Sequence, residues 1–405
     1  MALIRLDSTD CFRDPAPLEP DEFEAALEEG VRWRDGCIER DDWTREQLEQ
    51  FGDEPREEIS AGLSTTTGLR LIPEKLLRGY EKYREQSLLG SVFEIANGMH
   101  DELDAIVVFG TPLGSQCVRA LQHACCDPYH NEQDRATRGS KPRIYFAHDK
   151  LDNDAAQSLI WRMQRGGYGE LDAERNWMLI ALDTSMRDSP VFAQLLRAKP
   201  IDCVALVEDG HWLNPIARQI APSAPAPNKD YSTAVNGTGL VDWKWPLTPF
   251  NLLPAAFLGL DVIQLLVGAY EVAENFRTAP PRENLAIQFF ALEQIARKEH
   301  RRIAWCVFDE ALMTFADWME NHPRRVVARR HNEATKSKMA SMYHQLVVEK
   351  PRTDLLDGIE NHRTQAVQAL DEGWRYSGIV TTRWLLPQID THTMGQLFQL
   401  MMLAP

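Results

Sequence analysis

The sequence predicts an α/β protein of two lobes, each a parallel sheet covered by helices, behind an N-terminal helical appendage. Three observations carry that expectation. Short continuous apolar runs alternate with helix-length periodic segments, the pattern of parallel strands buried on both faces. Residues 220–238 fill with Pro, Ala, Ser, Asn and Gly, which present no periodic face and so mark a crossing between lobes. A chain of 405 residues also exceeds what one hydrophobic core usually organises. The boundaries fall at 1–60 for the appendage, 61–235 for the first lobe and 236–405 for the second, smaller lobe.

The first sixty residues are acid-rich and broken by Pro15, Pro17, Pro20 and Pro55, with helical stretches near 21–34 and 43–51. From Leu71 to Met99 apolar residues recur at helical intervals and lead into Ala105-Ile106-Val107-Val108-Phe109, a buried parallel strand. A turn containing Gly110, Pro112 and Gly114 follows, then a helix over 116–125. The same order recurs at 143–147 with 154–165 and at 177–182 with 189–198, and 202–207 is a fourth strand. Beyond the crossing, the run 250–269 approaches the length of a membrane span, but Pro254, Asp261 and Gln264 lie within it, so a buried helix is expected. A helix over 282–300, a strand at 303–308, a helix over 310–320, a basic loop from Pro323, a helix over 340–348, a strand at 378–385 and a helix from Thr393 complete the second lobe.

The balance of 60 acidic against 44 basic residues gives a formal charge of −16, which opposes attraction to phosphate backbones and argues against nucleic acid as the main partner. The first residues contain no apolar core long enough for a secretory signal, and the seven cysteines form no regular disulfide framework. A cytoplasmic protein, bound to no membrane, is expected. The nearest approach to a metal cluster is His123, Cys125, Cys126 and His130, but neighbouring Cys125 and Cys126 point in different directions from a helix. No metal and no cofactor is assigned.

Several strings, taken in order, resemble the phosphoglucose isomerase (glucose-6-phosphate isomerase) family. They are Glu283-Asn284-Leu285-Ala286 through Phe315-Ala316-Asp317-Trp318, then Leu247-Thr248-Pro249-Phe250-Asn251-Leu252-Leu253-Pro254, and the tail Leu386-Pro387-Gln388-Ile389-Asp390 with Met394-Gly395-Gln396-Leu397. Ordered strings covering the chain from Leu71 onward are more specific than any single motif. The resemblance implies two sugar-isomerase lobes, each a doubly wound parallel sheet, and a homodimer. It also implies interconversion of glucose 6-phosphate and fructose 6-phosphate, a step of glycolysis and gluconeogenesis.

The resemblance places a phosphate site on two turns. Gly110-Thr111-Pro112-Leu113-Gly114-Ser115 sits at the family's glycine-rich turn, which assigns Gly110, Gly114 and Ser115. Asp183-Thr184-Ser185-Met186-Arg187 sits at its serine- and threonine-rich loop, which assigns Thr184, Ser185 and Arg187, with Asp183 in place of the family's lysine. Helix starts beyond strand ends offer free amides to an anion, and hydroxyls and a guanidinium suit phosphate.

Aldose–ketose isomerisation needs a base, a ring-opening group and positive charge near the enediolate. Here Trp243 stands at the family's arginine, Arg325 near its glutamate and Ser341 at its histidine, and the chain stops at Pro405, before the helix that bears the family's lysine. The nearest substitutes are Glu333, with Glu320 as the other flanking carboxylate, His344 on the 340–348 helix, and Lys244. Three readings stay open at this point: an isomerase using these substitutes, a catalytically inactive sugar-phosphate-binding regulator, and a scaffold.

Overall fold

A computed structural model of the chain describes residues 2–13, 18–49, 71–99, 101–112, 114–165, 176–182, 189–198, 202–205, 246–321, 327–330, 341–351, 364–365, 367–370, 372–374, 377 and 379–403. In chain order the elements are β1 (Arg5–Asp7), α1 (Pro20–Glu49), α2 (Ile72–Tyr83), α3 (Leu88–Met99), β2 (Ala105–Phe109), α4 (Gln116–Cys125), β3 (Arg143–Ala147) and α5 (Asn153–Arg165). There follow β4 (Trp177–Ala181), α6 (Pro190–Arg197), β5 (Asp202–Ala205), α7 (Pro249–Phe257), α8 (Val262–Thr278), α9 (Leu285–Lys298), β6 (Ile303–Val307), α10 (Met313–Asn321), β7 (Val327–Arg330), β8 (Met342–Val348), β9 (Val380–Leu386) and α11 (Thr391–Leu403). The chain divides into two compact units, one of residues 1–43, 123–125 and 263–405, the other of 44–122 and 126–262.

The unit that contains β2 has a four-stranded, all-parallel sheet in the order β3-β2-β4-β5. Every residue of β2 and β4 is buried, as continuous apolar runs covered on both faces require. Val107, Phe109, Leu179 and Trp177 pack with Met163 of α5 and Phe192 and Leu195 of α6, and the Phe109 and Phe192 rings meet edge to face at 5.1 Å. The helical pattern from Leu71 to Met99 resolves into two helices rather than one. Arg84 has a positive φ (φ 48°, ψ −117°), which ends the first helix, and the Ser87 hydroxyl accepts from Gly90 N at 2.9 Å to start α3, which packs on α7. A side chain at Gly90 would strike the Arg84 carbonyl oxygen, its Cβ only 2.0 Å away.

The apolar run 250–269 is likewise two helices, α7 and the start of α8. Gly259 (φ 71°) closes α7: its N–H donates to Ala256 O at 2.9 Å, and Leu260 N donates to Ala255 O at 3.1 Å. This pairing satisfies the last carbonyls through a left-handed residue. Among the described residues, no helix is long and apolar enough to cross a membrane.

The other unit has a five-stranded sheet in the order β1-β9-β8-β6-β7, parallel except for β1, which runs antiparallel to β9 with Leu6 opposite Trp384. The N-terminal segment, expected as an appendage, therefore supplies an edge strand and a core helix here. Phe23, Ala26 and Leu27 recur at helical spacing on α1 and pack with Ile287, Ala291 and Ile295 of α9, while Trp33 stacks on Phe290 at 5.0 Å. The Gln396 side chain holds residues 2–4 in place, accepting from Ile4 N at 2.7 Å and donating to Ala2 O at 3.2 Å. The gap expected between 34 and 43 is absent, and α1 is continuous.

Two further expectations are corrected in this unit. Residues 340–348, expected as a helix, form β8, paired in parallel with β6 and β9. Its Tyr343, Leu346, Val347 and Val348 suit a strand covered on both faces as well as they suit a helix. Part of the expected basic loop is β7, paired with β6. Asn284 starts α9 by accepting from Ile287 N at 3.1 Å and donating to Asn275 O and Phe276 O at 2.9 and 2.8 Å. Finally, α8 and α11 touch backbone to backbone. A Cβ on Gly268 would lie 2.0 Å from His392 O, and one on Gly395 would lie 1.9 Å from Leu265 O.

Candidate functional site

Topology singles out one place in the β3-β2-β4-β5 sheet. The chain leaves β2 for β3 on one side, then returns past β2 to β4 on the other, so strand order reverses between β2 and β4. Ligands of open parallel sheets bind beyond the carboxyl ends of strands at such a switch point. Leu182 N, just after β4, donates to Phe109 O at 2.8 Å, and Gly110 N donates to Ala147 O at 3.1 Å, so the strand ends stay in register there.

The turn from Gly110 to Ser115 begins at this point, and three of the expected phosphate residues, Gly110, Gly114 and Ser115, belong to it. Gly110 is boxed in, since a Cβ there would press on Leu182 Cβ at 3.3 Å. Thr111 folds the turn by accepting Gly114 N on its hydroxyl at 3.1 Å and Ser115 N on its carbonyl at 3.2 Å. Ser115 is buried and donates its hydroxyl to Pro112 O at 3.2 Å. Its proton is thus committed to the turn, and its oxygen remains an acceptor. The other phosphate candidates, Thr184, Ser185 and Arg187, lie outside the described residues and follow β4 in sequence. Downstream, Ser189 caps α6 by accepting Phe192 N at 3.2 Å.

Two residues at the same sheet edge were not singled out in the sequence. Arg119, on α4, is half-buried, with its guanidinium 4.1 Å from the centre of the Phe146 ring and its Nε 3.4 Å from Ser115 Oγ. Burial alone pulls its pKa below the usual arginine range. His148, just past β3, accepts Lys150 N on Nδ1 at 3.2 Å. Burial lowers its pKa, the Arg119 and Lys150 charges lower it further, and Asp149 opposes them. The one signal available in the sequence was an arginine between Val118 and Ala120 in an otherwise apolar stretch of helix.

The expected catalytic residues are not brought together among the described residues. His344 is wholly buried on β8. Its Nδ1 lies 2.6 Å from Thr382 Oγ1, and its ring sits among Phe289, Trp305 and Trp384 at centroid distances of 5.3, 5.0 and 6.3 Å. Burial drives its pKa down to about 3, so it is a neutral core imidazole and is withdrawn as a catalytic candidate. Glu333 and Lys244 lie outside the described residues. Glu320 is half-buried near the end of α10. The described residues hold no group of three His, Cys, Asp or Glu side chains suited to a metal ion; His130 Nε2 lies 3.0 Å from Pro142 O instead.

The described residues form an α/β protein whose four-stranded parallel sheet reverses strand order between β2 and β4. No protein-family model matches the chain. Solved structures match over nearly its whole length. A glucose-6-phosphate isomerase from Chlamydia trachomatis superposes with a TM-score of 0.59 at 11% identity, covering 96% of this chain and 81% of that one. A hypothetical protein from Thermus thermophilus superposes with a TM-score of 0.57 at 16% identity, covering 99% and 92%. At these identities the likeness is one of fold.

Proposed function

We propose that the protein binds a six-carbon sugar phosphate beyond the carboxyl ends of β2 and β4. The observation that carries this reading is the Gly110–Ser115 turn at the strand-order reversal, in a fold shared with a glucose-6-phosphate isomerase. Fold alone does not carry function; the turn fixes the place beyond β2, and the hydroxyls of Thr184 and Ser185, which follow β4 in sequence, supply the chemistry. Enclosure of His344 in the core favours binding without turnover, as in a regulator.

A second reading is isomerisation of glucose 6-phosphate to fructose 6-phosphate, supported by the same likeness. There Glu333 takes the proton from the second sugar carbon and returns it to the first, and Lys244 offsets the enediolate charge. The family resemblance adds a homodimer to either reading, and light scattering tests the dimer.

Calorimetry with fructose 6-phosphate and glucose 6-phosphate, with turnover followed in the same samples, separates the readings. Binding without turnover, weakened by the Thr184→Ala, Ser185→Ala double change, is the expected result. Turnover that disappears in Glu333→Gln establishes the isomerase instead, and absence of both binding and turnover contradicts both readings.

A further inference from the structure

The edge where β2 and β3 end carries the positive charge of Arg119, which forms no ion pair with an acidic side chain among the described residues. The Arg119 guanidinium lies against the Phe146 ring and turns only its Nε toward a protein acceptor, the Ser115 hydroxyl oxygen, at 3.4 Å. Its two terminal nitrogens have no partner among the described residues. A half-buried cation without a counter-charge is costly, because desolvation penalises the charge and the Phe146 ring face offsets only part of it. Burial lowers the Arg119 pKa, and among the described residues Arg119 forms no ion pair with a carboxylate.

His148 stands two residues beyond Phe146, just past the end of β3, where the Arg119 charge acts on its imidazole. Lys150 N donates to His148 Nδ1 at 3.2 Å, which makes Nδ1 the acceptor and leaves Nε2 as the nitrogen that carries hydrogen. The Arg119 and Lys150 charges both act on this imidazole. The opposing group, Asp149, is exposed.

We propose that Arg119 and His148 form an anion site for a phosphate monoester, with the two free guanidinium nitrogens as the main donors and His148 Nε2–H as the third. A planar guanidinium matches two phosphate oxygens at once, and an anion there offsets the charge that burial leaves exposed to a poor solvent. The proposal deepens the sugar-phosphate reading and rests on it for the organic part of the ligand. The anion site itself stands on Arg119 and His148.

Inorganic phosphate and fructose 6-phosphate, titrated by calorimetry into the full-length chain, test it with three variants: Arg119→Gln, Arg119→Lys and, as a charge control on an exposed ion pair, Arg297→Gln. Phosphate is expected to bind the unaltered protein and Arg297→Gln alike, and Arg119→Gln about tenfold or more weakly. Arg119→Lys keeps the charge without the fork and falls between them. Imidazole signals in NMR give an independent readout, since phosphate raises the His148 pKa in the unaltered protein and not in Arg119→Gln. The proposal is overturned by no phosphate binding, or by binding that Arg119→Gln leaves unchanged. If fructose 6-phosphate binding depends on Thr184 and Ser185 but not on Arg119, the anion site fails and the sugar-phosphate reading stands. If phosphate binding depends on Arg119 while no sugar phosphate binds, the reverse holds.

Discussion

Acidification acts on this protein through His344 in a way that can be calculated. The imidazole is enclosed by Phe289, Trp305 and Trp384 and holds off its proton until about pH 3, whereas a histidine in the unfolded chain takes one near pH 6.5. The folded-state pKa is depressed, so the unfolded state binds the extra proton. This contribution to stability is therefore intact above pH 6.5 and is lost as pH falls from there toward 3. Each pH unit inside that window costs about 1.4 kcal/mol, so moving from pH 7 to pH 5 removes about 2 kcal/mol. The figure is set by the unfolded histidine, because any folded pKa below about 4 gives nearly the same loss. Urea denaturation followed by tryptophan fluorescence, at pH 7 and pH 5, on the unaltered protein and His344→Gln measures it. Other titrating groups cancel in the comparison, and the stability gap between the two proteins is expected to narrow by about 2 kcal/mol at the lower pH. A gap that stays constant refutes the enclosure of His344 and reopens its candidacy as a reactive group.

Substitutions at three other positions follow from contacts in the same unit. Gly268→Ala and Gly395→Ala are each expected to cost about 2–3 kcal/mol, because the new methyl group meets a backbone carbonyl oxygen that cannot move without separating α8 from α11. Unchanged denaturation midpoints contradict that helix crossing. Asn284→Ala removes a helix cap and the side-chain donor to Phe276 O, while Asn275 O keeps Ala279 N, a loss of about 2 kcal/mol by the same assay. Asn284→Asp, which keeps only the acceptor, is expected to fall between the two.

The first sheet was readable in the sequence because its strands are continuous apolar runs that need no partner to be recognised. Ala105–Phe109 and Trp177–Ala181 are buried throughout, and their bounds follow the composition closely. The role of the N-terminal segment was hidden for the opposite reason. β1 is three residues long and finds its partner in β9, at the far end of the chain, and periodicity within one segment carries no information about that pairing. β8 was misread because Met-Tyr-His-Gln-Leu-Val-Val is apolar enough for either element, and its two strand neighbours decide the matter. The helix breaks at Arg84 and Gly259 depend on residues with positive φ, of which only the glycine leaves a trace in composition. In the candidate site, the Gly110–Ser115 turn was visible from its glycines. Arg119 was not, because its interest comes from Phe146 on β3 and His148 just beyond it, both distant in sequence.

The claim that a sugar phosphate binds at the strand-order reversal is tested most directly by diffraction from crystals of the full-length chain grown with fructose 6-phosphate. The account predicts a phosphate group beside the Gly110–Ser115 turn, within hydrogen-bonding distance of the Arg119 guanidinium, with the sugar lying toward the end of β4. A phosphate bound in the unit that contains β8, or crystals with no sugar phosphate at ligand concentrations well above the calorimetric Kd, would contradict it.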